Sequence, residues 1–155
     1  MNVTQQEICD RVYLDYADAI DNGSLETWPD FFTSTAVYRI VSKENYDRNL
    51  PLNLMYCDGM GMLKDRAHAS ASLNVYAPRT WRHLVSNIRI RQKETLFTGC
   101  ANFAVFETIE GKSTHVLASG RYLDLIVCGE DGIRLARRTV VYDTGLIPGS
   151  VVFPL

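Results

Sequence analysis

Three histidines, His68, His83 and His115, and four cysteines, Cys9, Cys57, Cys100 and Cys128, are the side chains best equipped here for metal or nucleophilic chemistry. Two histidines with one carboxylate would make a facial iron site. Metal ligands usually come at short, fixed spacings, whereas His68 falls on an expected helix and the other two on separate strands. A Rieske cluster needs two cysteines and two histidines, yet no Cys-x-His or Cys-x-x-His pair occurs. No Gly-rich phosphate loop, Gly-x-Ser-x-Gly elbow or His-Glu-x-x-His occurs either. The expectation is a chain with no metal and no cofactor of its own. Its widely spaced cysteines are expected as reduced, buried thiols rather than a disulfide framework.

His83 carries a sharper alternative. It stands beside Trp81 and Arg82 at the mouth of an expected strand, while Asp15 and Tyr16 lie on the first helix. A histidine facing Asp15, Tyr16 or Asp30 inside a closed cavity could do general acid–base work, as in a stand-alone dehydratase or isomerase. The plainer expectation is a hydrogen-bonded histidine within the fold or at a subunit contact, with no catalytic residue in the chain. A small-ligand binding domain is the remaining alternative. Arg89, Arg91, Arg134, Arg137 and Arg138 concentrate on strands. On a packed face they need carboxylate partners, and arginine suits interface ion pairs. Trp81, Arg82, His83, Asn87, Arg89, Arg137 and Arg138 are the expected subunit-contact residues.

The elements that must hold these side chains are legible from pattern. Thr4 with Glu7 forms a capping box. Ile8, Val12, Tyr16 and Ile20 continue it as an apolar stripe of helical period. Asn22-Gly23 ends that helix, and Ser24 is expected to cap a short second one whose Leu25, Trp28, Phe31 and Phe32 are core. A strand over 36–41, an irregular stretch around 49–52 and a helix over 58–72 come next. Beyond Pro78, residues 84–91 alternate with period two. Glu110-Gly111 and Asp131-Gly132 mark turns between three long strands, 96–108, 113–127 and 133–142. Short connections make these an antiparallel meander. The apolar tail, 147–155, is expected to dock on something. Helices first and a bent sheet second is the α+β pattern, with the sheet wrapped around the first helix as a cone.

The 155 residues suit a single domain, 1–155. Net charge is −2, which offers no broad basic field to nucleic acid or an anionic membrane. The polar N-terminus lacks a signal core and no run reaches the ~20 apolar residues of a bilayer span, so a cytoplasmic location is expected.

Several segments resemble the β subunits of aromatic-ring-hydroxylating dioxygenases. The run Arg82-His83-Leu84-Val85-Ser86-Asn87-Ile88-Arg89-Ile90 is the most specific. Leu14-Asp15-Tyr16-Ala17-Asp18-Ala19-Ile20-Asp21 with Trp28-Pro29-Asp30-Phe31-Phe32 resembles the family's opening helix and its continuation. Thr35-Ala36 departs there from an acidic-Ala pair. Glu44-Asn45-Tyr46, Leu50-Pro51-Leu52, Met55-Tyr56-Cys57-Asp58 and Leu63-Lys64-Asp65-Arg66 form a third match. The segment Ile133 to Asp143 is similar to the closing strand. The resemblance implies a cystatin-like, nuclear-transport-factor-like cone, shared with scytalone dehydratase and ketosteroid isomerase. It implies a non-catalytic, structural subunit of an oxygenase for aromatic compound catabolism. The partner would be an α subunit with a Rieske [2Fe-2S] cluster and mononuclear Fe(II), fed by NAD(P)H through a reductase and ferredoxin. Three α with three β subunits, including contacts between β subunits, would be the assembly. The short N-terminus is most similar to small subunits acting on aromatic acids, salicylate hydroxylases first among them.

Overall fold

Thr4 opens the first helix as its sequence requires. Its hydroxyl accepts from the Glu7 amide at 3.2 Å, and the Glu7 carboxylate accepts from the Thr4 amide at 2.8 Å. The structure, a computed structural model, describes residues 3–72, 78–147, 151 and 153–155. From this cap run α1 (Gln5–Cys9), a π-helical turn (Asp10–Asp15) and α2 (Tyr16–Asp21). The π turn departs from the even period of the sequence. Within it the Val12 carbonyl accepts from Arg138 at 3.1 Å, and such π bulges are rare in helices. Gly23, at φ +74°, closes the helix in the left-handed region.

Ser24 does not cap the next helix. Its side chain makes no capping bond, and Leu25–Phe31 is a 3-10 helix with Pro29 inside it. Pro29 has no amide to donate, and the tighter 3-10 turn accommodates that loss. Trp28 is fully buried, and its ring meets Phe32 and Tyr38 edge-on, each at 5.0 Å. These rings are core, as the sequence implies.

The described residues then supply six strands: β1 (Phe32–Ser42), β2 (Met55–Asp58), β3 (Arg79–Lys93), β4 (Leu96–Ile109), β5 (His115–Gly129) and β6 (Gly132–Tyr142). Between them lie α3 (Lys43–Asp47), in the stretch before the irregular loop, and α4 (Gly59–Ser72). The sheet order is β2-β1-β6-β5-β4-β3. The meander is antiparallel, with Gly111 and Gly132 at positive φ in its turns. One pairing lies outside the expected meander: β1 runs parallel to β6. Short connections forbid parallel neighbours only between consecutive strands, and these two lie at opposite ends of the chain. Bulges in β3, at Asn87 (φ +52°), and in the β4–β5 pairing bend the sheet around α2 and α4. The α+β cone is the observed architecture.

Gly120 permits a close approach of β6 to β5. A Cβ built there would overlap the Val141 carbonyl oxygen and come within 2.8 Å of the Tyr142 Cα. The obstruction is backbone, which cannot swing aside. Gly120→Ala is expected to cost about 1–3 kcal/mol, read as a lower urea midpoint. An unchanged midpoint would mean that β5 and β6 are not held this close.

Candidate functional site

Asp124 and Arg138 face each other across β5 and β6, and alternation turns both into the cone. Arg138 donates from Nε to Asp124 Oδ1 at 2.9 Å and from Nη2 to Oδ2 at 2.8 Å. Both side chains are 0% exposed. The guanidinium carbon lies 4.1 Å from the Tyr16 ring centroid and 4.4 Å from that of Tyr122. Burial works against the Arg138 charge, but the Asp124 carboxylate outweighs it and holds the arginine above its usual range. The sequence leads one to expect Arg138 at a subunit contact; it is a core residue instead. Strand alternation puts it on the inner face with Val140, while Arg137 and Thr139 point outward.

Tyr16 also lies in the core, not in an open cleft. Its hydroxyl donates to the Leu155 carbonyl oxygen at 3.1 Å, as does that of Tyr38, which accepts in turn from the Leu155 amide at 2.9 Å. Phe153 packs on Trp81 with ring centroids 4.1 Å apart. The apolar tail docks on its own cone, through residues 151 and 153–155; residues 148–150 and 152 lie outside the described residues. Burial holds the Tyr16 and Tyr38 phenols above their ordinary range.

His83 has a carboxylate partner, but it is Asp21. The two groups approach to 2.6 Å through Nδ1 and Oδ1, and the His83 amide donates to Asp21 Oδ2 at 2.8 Å. Neither Asp15 nor Asp30 reaches it. The Asp15 side chain is 59% exposed beside Arg11. Asp30 is also exposed, and its carbonyl oxygen accepts from Arg11 at 3.3 Å. A signal for Asp21 was present in the sequence: a carboxylate in the last turn of a helix opposes the helix dipole and needs a partner elsewhere. The pair ties α2 to β3. Asp21→Ala leaves the buried His83 amide and ring unpaired, at a cost of about 1–3 kcal/mol. A thermal unfolding midpoint equal to the parent's would show that the tie contributes nothing.

Glu107, which carried no sequence signal, gathers the polar groups of the cone mouth. It accepts from Arg79 at 3.0 Å and from the Trp81 indole at 3.1 Å, and His115 Nε2 stands 3.4 Å away. The cavity among Ile20, Trp81, His83, Val105, Glu107 and Phe153 measures about 10 Å³, the least that admits one water. The interior is a packed core with polar cross-links.

The remaining expected contact residues sit on the outside, except Trp81 at the cone mouth. Arg82, Asn87, Arg89 and Arg137 are exposed, and Trp81 is half-buried. His68 lies on α4, exposed, with Nδ1 3.3 Å from the Ser72 hydroxyl. The three histidines therefore do not converge, and no group of three metal-ligating side chains forms among the described residues. All four cysteines are free thiols, and burial raises those of Cys9, Cys57 and Cys128 away from the reactive thiolate. No described helix is long and apolar enough to cross a membrane.

Comparison with known proteins gives a consistent picture. Residues 16–149 match the family model described as ring hydroxylating beta subunit. The chain is 33% identical to the anthranilate 1,2-dioxygenase small subunit of Burkholderia cepacia, over 90% of this chain and 88% of that one. It is 30% identical to a terephthalate 1,2-dioxygenase terminal oxygenase β subunit of a Comamonas species, over 90% and 92% of the two chains. A solved structure from Novosphingobium aromaticivorans, described as the β subunit of an aromatic-ring-hydroxylating dioxygenase, superposes with a TM-score of 0.85. It is 32% identical and covers 96% of this chain and 94% of its own.

Proposed function

Because this chain belongs to the ring-hydroxylating β-subunit family, we propose that it serves as the non-catalytic small subunit of a multicomponent aromatic-ring oxygenase. Residues 1–155 act as one β-subunit domain. Its partner is a larger α subunit that holds the Rieske [2Fe-2S] cluster and the mononuclear iron, and NAD(P)H electrons reach that subunit through a reductase and ferredoxin. Three α and three β subunits make the assembly, in the cytoplasm, and its substrate is an aromatic acid. The relatives that act on anthranilate and terephthalate support that substrate class.

The observation that carries the structural role is the filled cone. The space beside His83 measures about 10 Å³, far below the ~300–1,000 Å³ of ordinary ligand sites. His83 Nδ1 and the Asp21 carboxylate join α2 to β3, while His83 Nε2 is buried with no hydrogen-bond partner among the described residues. The size of the space beside it, and not the pairing, supports neither a dehydratase nor an isomerase at His83. The role left to the chain is architectural, with outward strand faces that fix the assembly in which α works.

The test is purification of the tagged chain from its native host, with subunit masses and iron measured on the eluate. Co-elution of a larger iron–sulfur subunit in equal amounts is expected. Elution of this chain alone, soluble and iron-free, would overturn the assignment.

A further inference from the structure

Two arginines meet one ring on the outer face of the sheet, and a third lines the hollow beside it. The guanidinium carbons of Arg39, on β1, and Arg121, on β5, lie 5.9 and 5.7 Å from the Tyr46 ring centroid. Arg137, on β6, lines an open hollow with Arg39, Tyr46, Thr98, Leu123 and Asp124, whose carboxylate is already paired with Arg138, and Arg121 meets Tyr46 beside it. The register explains the convergence. Arg39 stands opposite Thr139, Thr139 stands opposite Leu123, and Arg137 stands opposite Leu125. Period-two alternation then sends residues 39, 121 and 137 to the side away from the buried Asp124 and Arg138. The hollow measures about 420 Å³.

None of these three arginines has a carboxylate partner among the described residues. Among the described residues Arg39 donates to the Thr139 hydroxyl, at 3.2 Å. The nearest acids of α3 are already taken, Glu44 by Arg48 and Asp47 by Lys43. A chain of net charge −2 thus keeps a local excess of three positive charges around an aromatic floor. Arginine forks bind carboxylates bidentately, and interface cores favour arginine and tyrosine.

We infer that this hollow is the docking point for a carboxylate-bearing segment of the larger oxygenase subunit, an inference that rests on the function proposed above. A second copy of this chain related by a twofold fits less well. A twofold contact through the same face would set the three arginines against their own equivalents.

The experiment compares α capture by the tagged wild-type chain and by an Arg39→Gln/Arg121→Gln/Arg137→Gln variant in the co-expressed complex, across a salt series. The triple variant is expected to hold α about thirtyfold less tightly or worse. The wild type should weaken steeply with salt and the variant should not. If the triple variant does not fold, the exposed Arg137→Glu single substitution replaces it, with about a tenfold loss expected. Variants that capture α as the wild type does would overturn the inference and leave the function standing. So would variants that lose only association between copies of this chain. A wild-type chain that captures no larger subunit would overturn both.

Discussion

Asp124→Ala removes about 3–5 kcal/mol of stability, because it strands Arg138 as an uncompensated charge in a packed core. Arg138 has 0% exposure and cannot swing to solvent. It would keep one carbonyl acceptor, Val12, and the faces of Tyr16 and Tyr122. Those faces stabilise a desolvated cation by about 2 kcal/mol, which does not offset the lost carboxylate. Domains of this size are stable by only about 5–15 kcal/mol, so the variant should lie near the edge of folding. The double replacement Asp124→Leu/Arg138→Met separates two explanations. If the single variant suffers from the stranded charge, the double variant regains most of the loss, as apolar replacements of buried ion pairs do. Urea unfolding of the parent and the two variants reads the loss and its recovery directly. A double variant no more stable than Asp124→Ala would mean that the pair fixes the fold by geometry and not by charge balance.

This pair also shows where sequence reading stops. The first helix, its cap at Thr4 and its end at Gly23 were legible because each rests on a few neighbouring residues. The same holds for α4 and for the three meander strands with their glycine turns. Arg138 was legible as a strand residue but not as a core one. In Arg137-Arg138-Thr139 the alternation has two phases, and which arginine faces inward depends on a bulge where Leu125 pairs with Arg137 but Ile126 pairs with Leu135. A one-residue slip exchanges the faces. Asp21 was missed for a related reason. Its partner lies 62 residues away, and only the helix-dipole mismatch pointed to it. Glu107 sits in a strand of apolar and aromatic residues, and its three neighbours come from two other strands. The hollow under Tyr46 needed the parallel β1–β6 pairing, which no local pattern encodes. Family membership could be read from ordered motifs, but the places where this chain spends its charges could not.

Raising the pH above about 10 should unfold the protein in one cooperative step driven by its buried tyrosines. Burial holds Tyr13, Tyr16, Tyr38 and Tyr122 above the ordinary phenol range, and the Arg138 charge only partly opposes this at Tyr16 and Tyr122. The sign comes from proton counting. Below about pH 10 the phenols are protonated in both states, and the stability they carry is fully present. Above it, unfolded chains release protons that the folded protein retains. Each tyrosine then removes about 1.4 kcal/mol of stability per pH unit until its folded pKa is reached. Four together remove roughly 5–6 kcal/mol per unit, so a domain of ordinary stability should fail within about one to three units of the onset. Phenolate absorbance and circular dichroism, recorded through an alkaline titration, should change together for these four groups. Tyr122→Phe offers a control, since its hydroxyl has no hydrogen-bond partner among the described residues. Its loss should leave neutral-pH stability nearly unchanged and reduce the alkaline slope by about a quarter. Gradual ionisation of all tyrosines with the dichroism intact would show instead that water reaches the cone, and the packed interior on which the structural role rests would have to be given up.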